Sequence, residues 1–255
     1  DISAHPHKTG RYFRNMVNAA MYIFEKAALN EVEVNLEKFD IAQDLVPEML
    51  SNGTRVKAYK TVEYLKDMGT PERHKRVEAD IGNCVPQSRS VREERSAVFL
   101  DRDGTINVEV GHLADVSSFK LIPQAAEAIS KVNASRHLAI CVTNQPVLAR
   151  GEATEDVLGQ IFSLMDYELG LGGAFLDDLY YCPHHPDTGF DGEILELKVD
   201  CECRKPKIGM FTSAALNHDI DLLHSWMIGD SSSDLRAGNS FGGRSILVST
   251  GAGGN

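Results

Sequence analysis

No stretch of this 255-residue chain approaches the roughly 18 to 20 uninterrupted apolar residues of a membrane-spanning helix. Positive charge is also in short supply: 26 Lys and Arg stand against 37 Asp and Glu, a formal net charge of −11. That balance removes any general electrostatic case for nucleic acid or an anionic membrane surface as partner. An anionic ligand must therefore be held by a local cluster of cations or by a metal ion. Cysteine is scarce as well. Five thiols at irregular spacing (Cys84, Cys141, Cys182, Cys201, Cys203) do not make a secreted disulfide framework, so a reducing cytoplasm is expected. The first residues, "DISAHPHKTG", carry neither an apolar signal core nor an initiating Met, and the last, "STGAGGN", follow directly on a strand-like run; a fragment or processed form is expected.

What is present is an alternation of apolar runs and amphipathic segments after residue 96. "AVFL" (97–100), "HLAICVT" (137–143), "DLYY" (178–181), "SWMIG" (225–229) and "RSILVS" (244–249) read as short buried strands. Between them, helices are predicted from Pro123, from Thr154, from Gly209 and from Ser233. Thr154 is a candidate N-cap, and Val157, Leu158, Ile161, Leu164, Met165 and Leu169 fall on one face of its helix. Strands alternating with helices predict a Rossmann-like parallel α/β sheet with its ligand site beyond the carboxyl ends of the strands. Residues 83–96, polar and charged, read as a linker between residues 1–82 and a domain spanning 97–255.

Polar residues stand at those strand ends. Asp101 and Asp103 follow "AVFL", Thr143 and Asn144 close "HLAICVTN", Asp230 follows "SWMIG", and Arg204-Lys205 precede the helix before it. The residue types suit phosphoryl transfer. Carboxylates hold Mg²⁺ through oxygen; one beside the ion can attack phosphorus, and another can protonate the leaving alkoxide. A hydroxyl and an ammonium can offset charge on the phosphoryl oxygens. "DRDGTIN", "VTN", "RKP" and "MIGDSSSD", in this order, resemble the haloacid dehalogenase superfamily of Asp-nucleophile phosphatases. The resemblance covers 97 to about 250. It implies Asp101 as nucleophile, Asp103 as general acid/base, Thr143 and Lys205 as phosphoryl-stabilising groups, and Mg²⁺ held by Asp101, Asp230 and the main-chain carbonyl of Asp103. Asp234 has two readings, an orienting partner of Lys205 or a helix start. Only a short stretch and one helix separate Asp103 from Thr143, so no large cap domain is expected.

"CPHHPDTGFDGEILELKVDCEC" supplies Cys182, His184, Cys201 and Cys203 as two close pairs. Three thiolates and an imidazole make a closed tetrahedral Zn²⁺ shell, a structural clip on a long loop, with His185 a competing ligand. "YYCPHHPD" followed by "CECRKPKIGM" resembles the heptose 1,7-bisphosphate 7-phosphatases and their histidinol-phosphate phosphatase relatives. That resemblance implies substrate contacts from Glu109, Val110, Gly111, His112, Asn144, Gln145 and Arg204, and a small phosphorylated sugar as substrate. "TNQPVLARG" departs from the TNQSGIARG of many relatives, which puts a polar contact at Pro146 in doubt.

Upstream, "NAAMYIF" reads as strand-like, and "GTPERHKRVEAD" as a helix capped by Thr70 with Pro71 in its first turn. "NAAMYIF" and "KDMGTPERHKRV" resemble the C-terminal part of sugar-phosphate nucleotidyltransferases, in which the aspartate matching Asp67 helps bind the catalytic metal. No glycine-rich nucleotide loop precedes them, so transferase activity is not expected of this chain, although a full-length protein could carry it. Oligomeric state and the anomer of the sugar are not legible.

Overall fold

The computed structural model describes residues 12–30, 32 and 39–254. These fall into two compact units, one of residues 16–61 and one of residues 12–15 with 62 onward. In the first, Asp40 accepts hydrogen bonds from the Ala42 and Gln43 amides and so starts a wide helical turn, Ile41–Leu45, that runs into the helix Val46–Ser51. Leu45 and Met49 are buried there beside Val32, with Phe24 and Ala28 against them. The expected strand at "NAAMYIF" does not form, and Met21 and Ile23 are exposed. A strand needs a partner for its ladder, and among the described residues none pairs with it.

The second unit is built on five parallel strands: β1 (Ser96–Leu100), β2 (His137–Asn144), β3 (Asp178–Cys182), β4 (Trp226–Gly229) and β5 (Arg244–Leu247), in the order β3-β2-β1-β4-β5. This is the expected Rossmann-like sheet. Alternate residues of β1 and β2 enter opposite layers. Ala97, Phe99, Leu138 and Ile140 pack with Met210, Phe211 and Ala214 of the helix Gly209–His218. Val98, Leu100, Ala139 and Cys141 pack with Leu158, Phe162, Met165 and Leu169 of the helix Glu155–Leu171. Thr154 caps that helix as expected, accepting from the Val157 amide at 3.3 Å. Phe162 and Asp166 widen its buried face beyond the predicted stripe, because Asp166 accepts from Arg14 Nε (2.7 Å) and the Asn15 amide (2.9 Å). The helix predicted from Pro123 begins at Ala125, after Gln124 in the left-handed region at φ +71°.

Residues 83–96 are no free spacer. They hold a helical turn, Val85–Ser88, and two buried arginines. Arg89 pairs with Asp177, whose side chain is buried, and Arg95 Nε donates to the Ser90 carbonyl at 3.3 Å. Charge on the sequence reads as solvent exposure; here it is burial with a partner. Thr70 caps the helix Pro71–Gly82 as expected. Asp67 lies exposed, accepting from the Gly69 amide and paired with Arg73.

Candidate active site

The strand order reverses direction at β1, so the crevice between the ends of β1 and β4 is where a ligand should lie. Asp101 leaves β1 with its amide donating to the Ile228 carbonyl of β4 (2.9 Å). Asp230 leaves β4, and carboxylate oxygens of Asp101, Asp230 and Asp234 lie within 4.8 Å of one another. Backbone closeness holds this geometry. Gly104, at φ +74°, runs so near Asp230 that a Cβ on it would sit 2.6 Å from the Asp230 Cγ. The turn after β5 closes on the same group: the Ala252 amide donates to Asp230 Oδ2 (2.7 Å), and the Thr250 hydroxyl donates to the Gly104 carbonyl.

Lys205 is buried and saturated. Its ammonium reaches Asp101 Oδ1 at 2.8 Å, Asp234 Oδ1 at 2.7 Å and the Val142 carbonyl at 2.8 Å. Burial alone would push this amine down; Asp101 and Asp234 outweigh it and hold Lys205 above the ordinary lysine value. Burial pushes the Asp101 carboxyl up to about 7, with Lys205 opposing and Asp234 adding to the rise. The two readings of Asp234 both hold, since it also accepts from the Ser231 amide and hydroxyl and caps the helix Ser232–Ser240. A carboxylate trio beside one ammonium is a donor set that suits a hard divalent cation.

Asp103 turns to another set of partners. Arg102, fully buried, donates to both of its oxygens through Nη2 (2.8 Å) and Nε (3.1 Å). Asn107 Nδ2 and Gln145 Nε2 donate to it at 2.9 Å each. Burial opposes ionisation, but Arg102, Asn107 and Gln145 hold Asp103 below the usual carboxylate value. The Gln145 amide also donates to the buried Thr143 hydroxyl (2.9 Å). Asn144 clamps the main chain of Lys205 from both sides, accepting from its amide (3.0 Å) and donating to its carbonyl (3.1 Å). The structure thus brings Asp101, Asp103, Thr143, Asn144, Gln145, Lys205 and Asp230 together. Glu109, Val110, Gly111 and His112 form an exposed loop over buried Leu113, and His112 pairs with Glu152 at 2.9 Å. Burial raises the Glu109 carboxyl, and the charges of Asp103 and Asp230 add to the rise. Arg204 Nη1 donates to the His184 carbonyl at 3.3 Å. Inside "DRDGT" the sequence marks Arg102 only as a cation between two carboxylates.

No domain is inserted between β1 and β2. The loop after β3 leans instead on the segment after β2, where the Ile194 amide donates to the Ala149 carbonyl at 3.0 Å. Pro146 opens a single helical turn, Pro146–Ala149, at a position where no amide is needed. In that loop the sulfurs of Cys182, Cys201 and Cys203 lie 3.1 to 3.5 Å apart, and His184 Nδ1 lies 3.2 Å from Cys203 Sγ. His185 stands outside the group, its Nδ1 accepting from the Asp187 amide. A tetrahedral Zn²⁺ sets sulfur–sulfur edges of about 3.8 Å, so these donors would spread by less than about an ångström to take one.

Known proteins agree with this geometry. A family-wide pattern described as HAD-hydrolase-like matches residues 202–255. The D-glycero-beta-D-manno-heptose-1,7-bisphosphate 7-phosphatase of Vibrio cholerae is 41% identical over 158 residues, covering 62% of this chain and 83% of the relative. The Pasteurella multocida enzyme of the same name is 40% identical with the same coverage. Among solved structures, the D,D-heptose 1,7-bisphosphate phosphatase of B. bronchiseptica, complexed with magnesium and phosphate, superposes with a TM-score of 0.55 at 33% identity, covering 62% of this chain and 83% of that one. A putative HAD-like phosphatase from Mesorhizobium loti superposes with a TM-score of 0.57 at 31% identity, covering 61% and 73%. With the sheet, the strand-end carboxylates and these relatives in agreement, the chain belongs to the haloacid dehalogenase-like phosphatases and is a phosphoric monoester hydrolase.

Proposed function

We propose that this hydrolase removes the 7-phosphate of a heptose 1,7-bisphosphate through an aspartyl-phosphate on Asp101, with Mg²⁺ as cofactor. The observation that carries the reading is the placement of Asp101 between Lys205 and Asp230, at the β1–β4 crevice. The substrate is the one named for the Vibrio and Pasteurella relatives, which are named for the beta anomer. Asp101 and Asp230, with the Asp103 carbonyl, would hold Mg²⁺, which supplies positive charge for the phosphoryl oxygens.

Asp101 attacks phosphorus while the bond from phosphorus to the sugar oxygen breaks; Asp103, a carboxylate in the resting site, first takes up a proton from solvent and then gives it to that oxygen. Asp103, now a carboxylate, takes a proton from water as the water oxygen attacks the phosphoryl group; the electron pair of the broken bond returns to Asp101. Lys205 and the Thr143 hydroxyl offset the charge that builds on the phosphoryl oxygens. Glu109 to His112, Asn144 and Arg204 are proposed to contact or order the substrate, and Gln145 to order Asp103 and Thr143 against it. Arg204 is suited to the phosphate that is not cleaved. Cys182, His184, Cys201 and Cys203 would bind a structural Zn²⁺ that fixes the loop leading into Arg204 and Lys205.

The upstream residues we assign to the C-terminal part of a sugar-phosphate nucleotidyltransferase, a neighbour suited to nucleotide-activated heptose synthesis in the cytoplasm. The resemblance of "KDMGTPERHKRV" is what supports that assignment. Phosphate release from heptose 1,7-bisphosphate and from histidinol phosphate, measured in parallel with Mg²⁺, tests the substrate. Preference for the bisphosphate is expected; preference for histidinol phosphate moves the chain to its other relatives.

A further inference from the structure

The site holds a second carboxylate machine beside the nucleophile. Asp103 is bound on both oxygens by three separate side chains, Arg102, Asn107 and Gln145, and only a fifth of its side chain stays open. Arg102 has no exposed surface, and it lies 5.7 Å from the centre of the Phe162 ring, so its fork cannot swing away. Among the described residues its Nη1 has no partner, so its hydrogen bonding is concentrated on Asp103. Gln145 is equally buried and joins Asp103 to Thr143 through one amide nitrogen, 2.9 Å from each. Its main-chain N–H donates to the Cys182 carbonyl at 2.7 Å, which fixes the residue from the neighbouring strand.

We infer that Arg102 and Gln145 are positioning residues that aim Asp103 at the leaving oxygen of the substrate. The inference rests on Asp103 being the acid/base of the proposed reaction. A carboxyl free to rotate would offer its oxygens in many directions; one held on both oxygens by a planar fork and two amides keeps one orientation for the proton it takes up and passes on. The link to Thr143 ties that carboxyl to the hydroxyl proposed above to offset phosphoryl charge, so acid and phosphoryl-stabilising group are held together. Gln145 thereby acts through Asp103 and Thr143 rather than on the sugar.

The leaving group provides the test. A p-nitrophenolate departs without a proton, whereas a primary sugar alkoxide needs one, so kcat/KM for the two separates acid catalysis from nucleophilic attack. Heptose 1,7-bisphosphate and p-nitrophenyl phosphate are compared in the full chain, in Asp103→Asn, in Arg102→Lys and in Gln145→Leu, with thermal melting to check the fold. Asp103→Asn is expected to lower the sugar-to-aryl ratio of kcat/KM by about a hundredfold or more. Arg102→Lys keeps the charge but loses the fork, and Gln145→Leu keeps the volume but loses the amide; each is expected to lower the ratio by about tenfold. If Asp103→Asn shifts the ratio and neither of the others does, the positioning role is wrong. If Asp103→Asn itself leaves the ratio unchanged, Asp103 is not the acid and the underlying reading fails instead. Should Arg102→Lys melt far below the native chain, Gln145→Leu decides alone.

Discussion

Replacing Gly104 with alanine separates two effects that the structure places at one residue. Gly104 sits at φ +74°, a conformation that disfavours a side chain by roughly 1 to 2 kcal/mol. Its new Cβ would also lie 2.6 Å from the Asp230 Cγ and 3.2 Å from its Cβ, so Asp230 must shift. Crowding of that kind in packed surroundings costs about 1 to 3 kcal/mol. Gly173 provides the control, with φ +73° and nothing within 4 Å of the position its Cβ would take. Gly173→Ala should therefore lose about 1 to 2 kcal/mol, and Gly104→Ala about 2 to 5 kcal/mol. The assay is urea unfolding of both variants, joined to a calorimetric Mg²⁺ titration. Gly104→Ala should weaken Mg²⁺ binding by tenfold or so, because a displaced Asp230 lowers affinity much as a lost supporting contact does; Gly173→Ala should leave it alone. Equal losses of stability together with identical Mg²⁺ isotherms would refute the claim that Gly104 exists to let Asp230 in.

Three other outcomes follow from the same contacts. Metal analysis should find one Zn²⁺ per chain, and a strong chelator should lower Tm and open residues 183–203 to protease; a metal-free chain that melts unchanged would remove the clip. With divalent cations chelated, stability should fall as pH rises from about 4 through about 7. The raised Asp101 makes the fold bind more protons than the unfolded chain across that window, and the advantage of the protonated form disappears as the carboxyl ionises. Saturating Mg²⁺ should flatten the slope, and a flat profile without metal would contradict the burial of Asp101. Arg89→Ala strips the partner from buried Asp177 and should destabilise the phosphatase unit by about 3 kcal/mol in urea unfolding, against near zero for a true linker residue.

The sheet and its site were legible because their signals are local. Val98, Phe99 and Leu100 read as strand by composition, and carboxylates at the ends of β1 and β4 have no role in an apolar layer unless something binds them. Features that depend on a distant partner were not legible. Arg89 reads as solvated until Asp177 comes to meet its guanidinium from elsewhere in the chain, and Arg95 until its main chain is joined to Asp221 and its side chain is buried. The apolar centre of "NAAMYIF" reads as strand-like, yet nothing in seven residues says whether a neighbouring strand exists to pair with it. Gln145 read as a substrate contact because its motif lies at a strand end; only the fold shows its amide spent on Asp103 and Thr143. Pro123 is a good first helical residue, but the chain turns once more at Gln124 before the helix starts.

The central claim is that Asp101 takes the phosphoryl group. Rapid quenching in acid during turnover of heptose 1,7-bisphosphate with Mg²⁺, followed by peptide mass spectrometry, reads it directly. The account predicts one added phosphoryl group on the peptide that contains Asp101, absent from Asp101→Asn, which should also release no phosphate. Phosphate release by Asp101→Asn at the native rate, or a phosphoryl group carried on another residue, would contradict it.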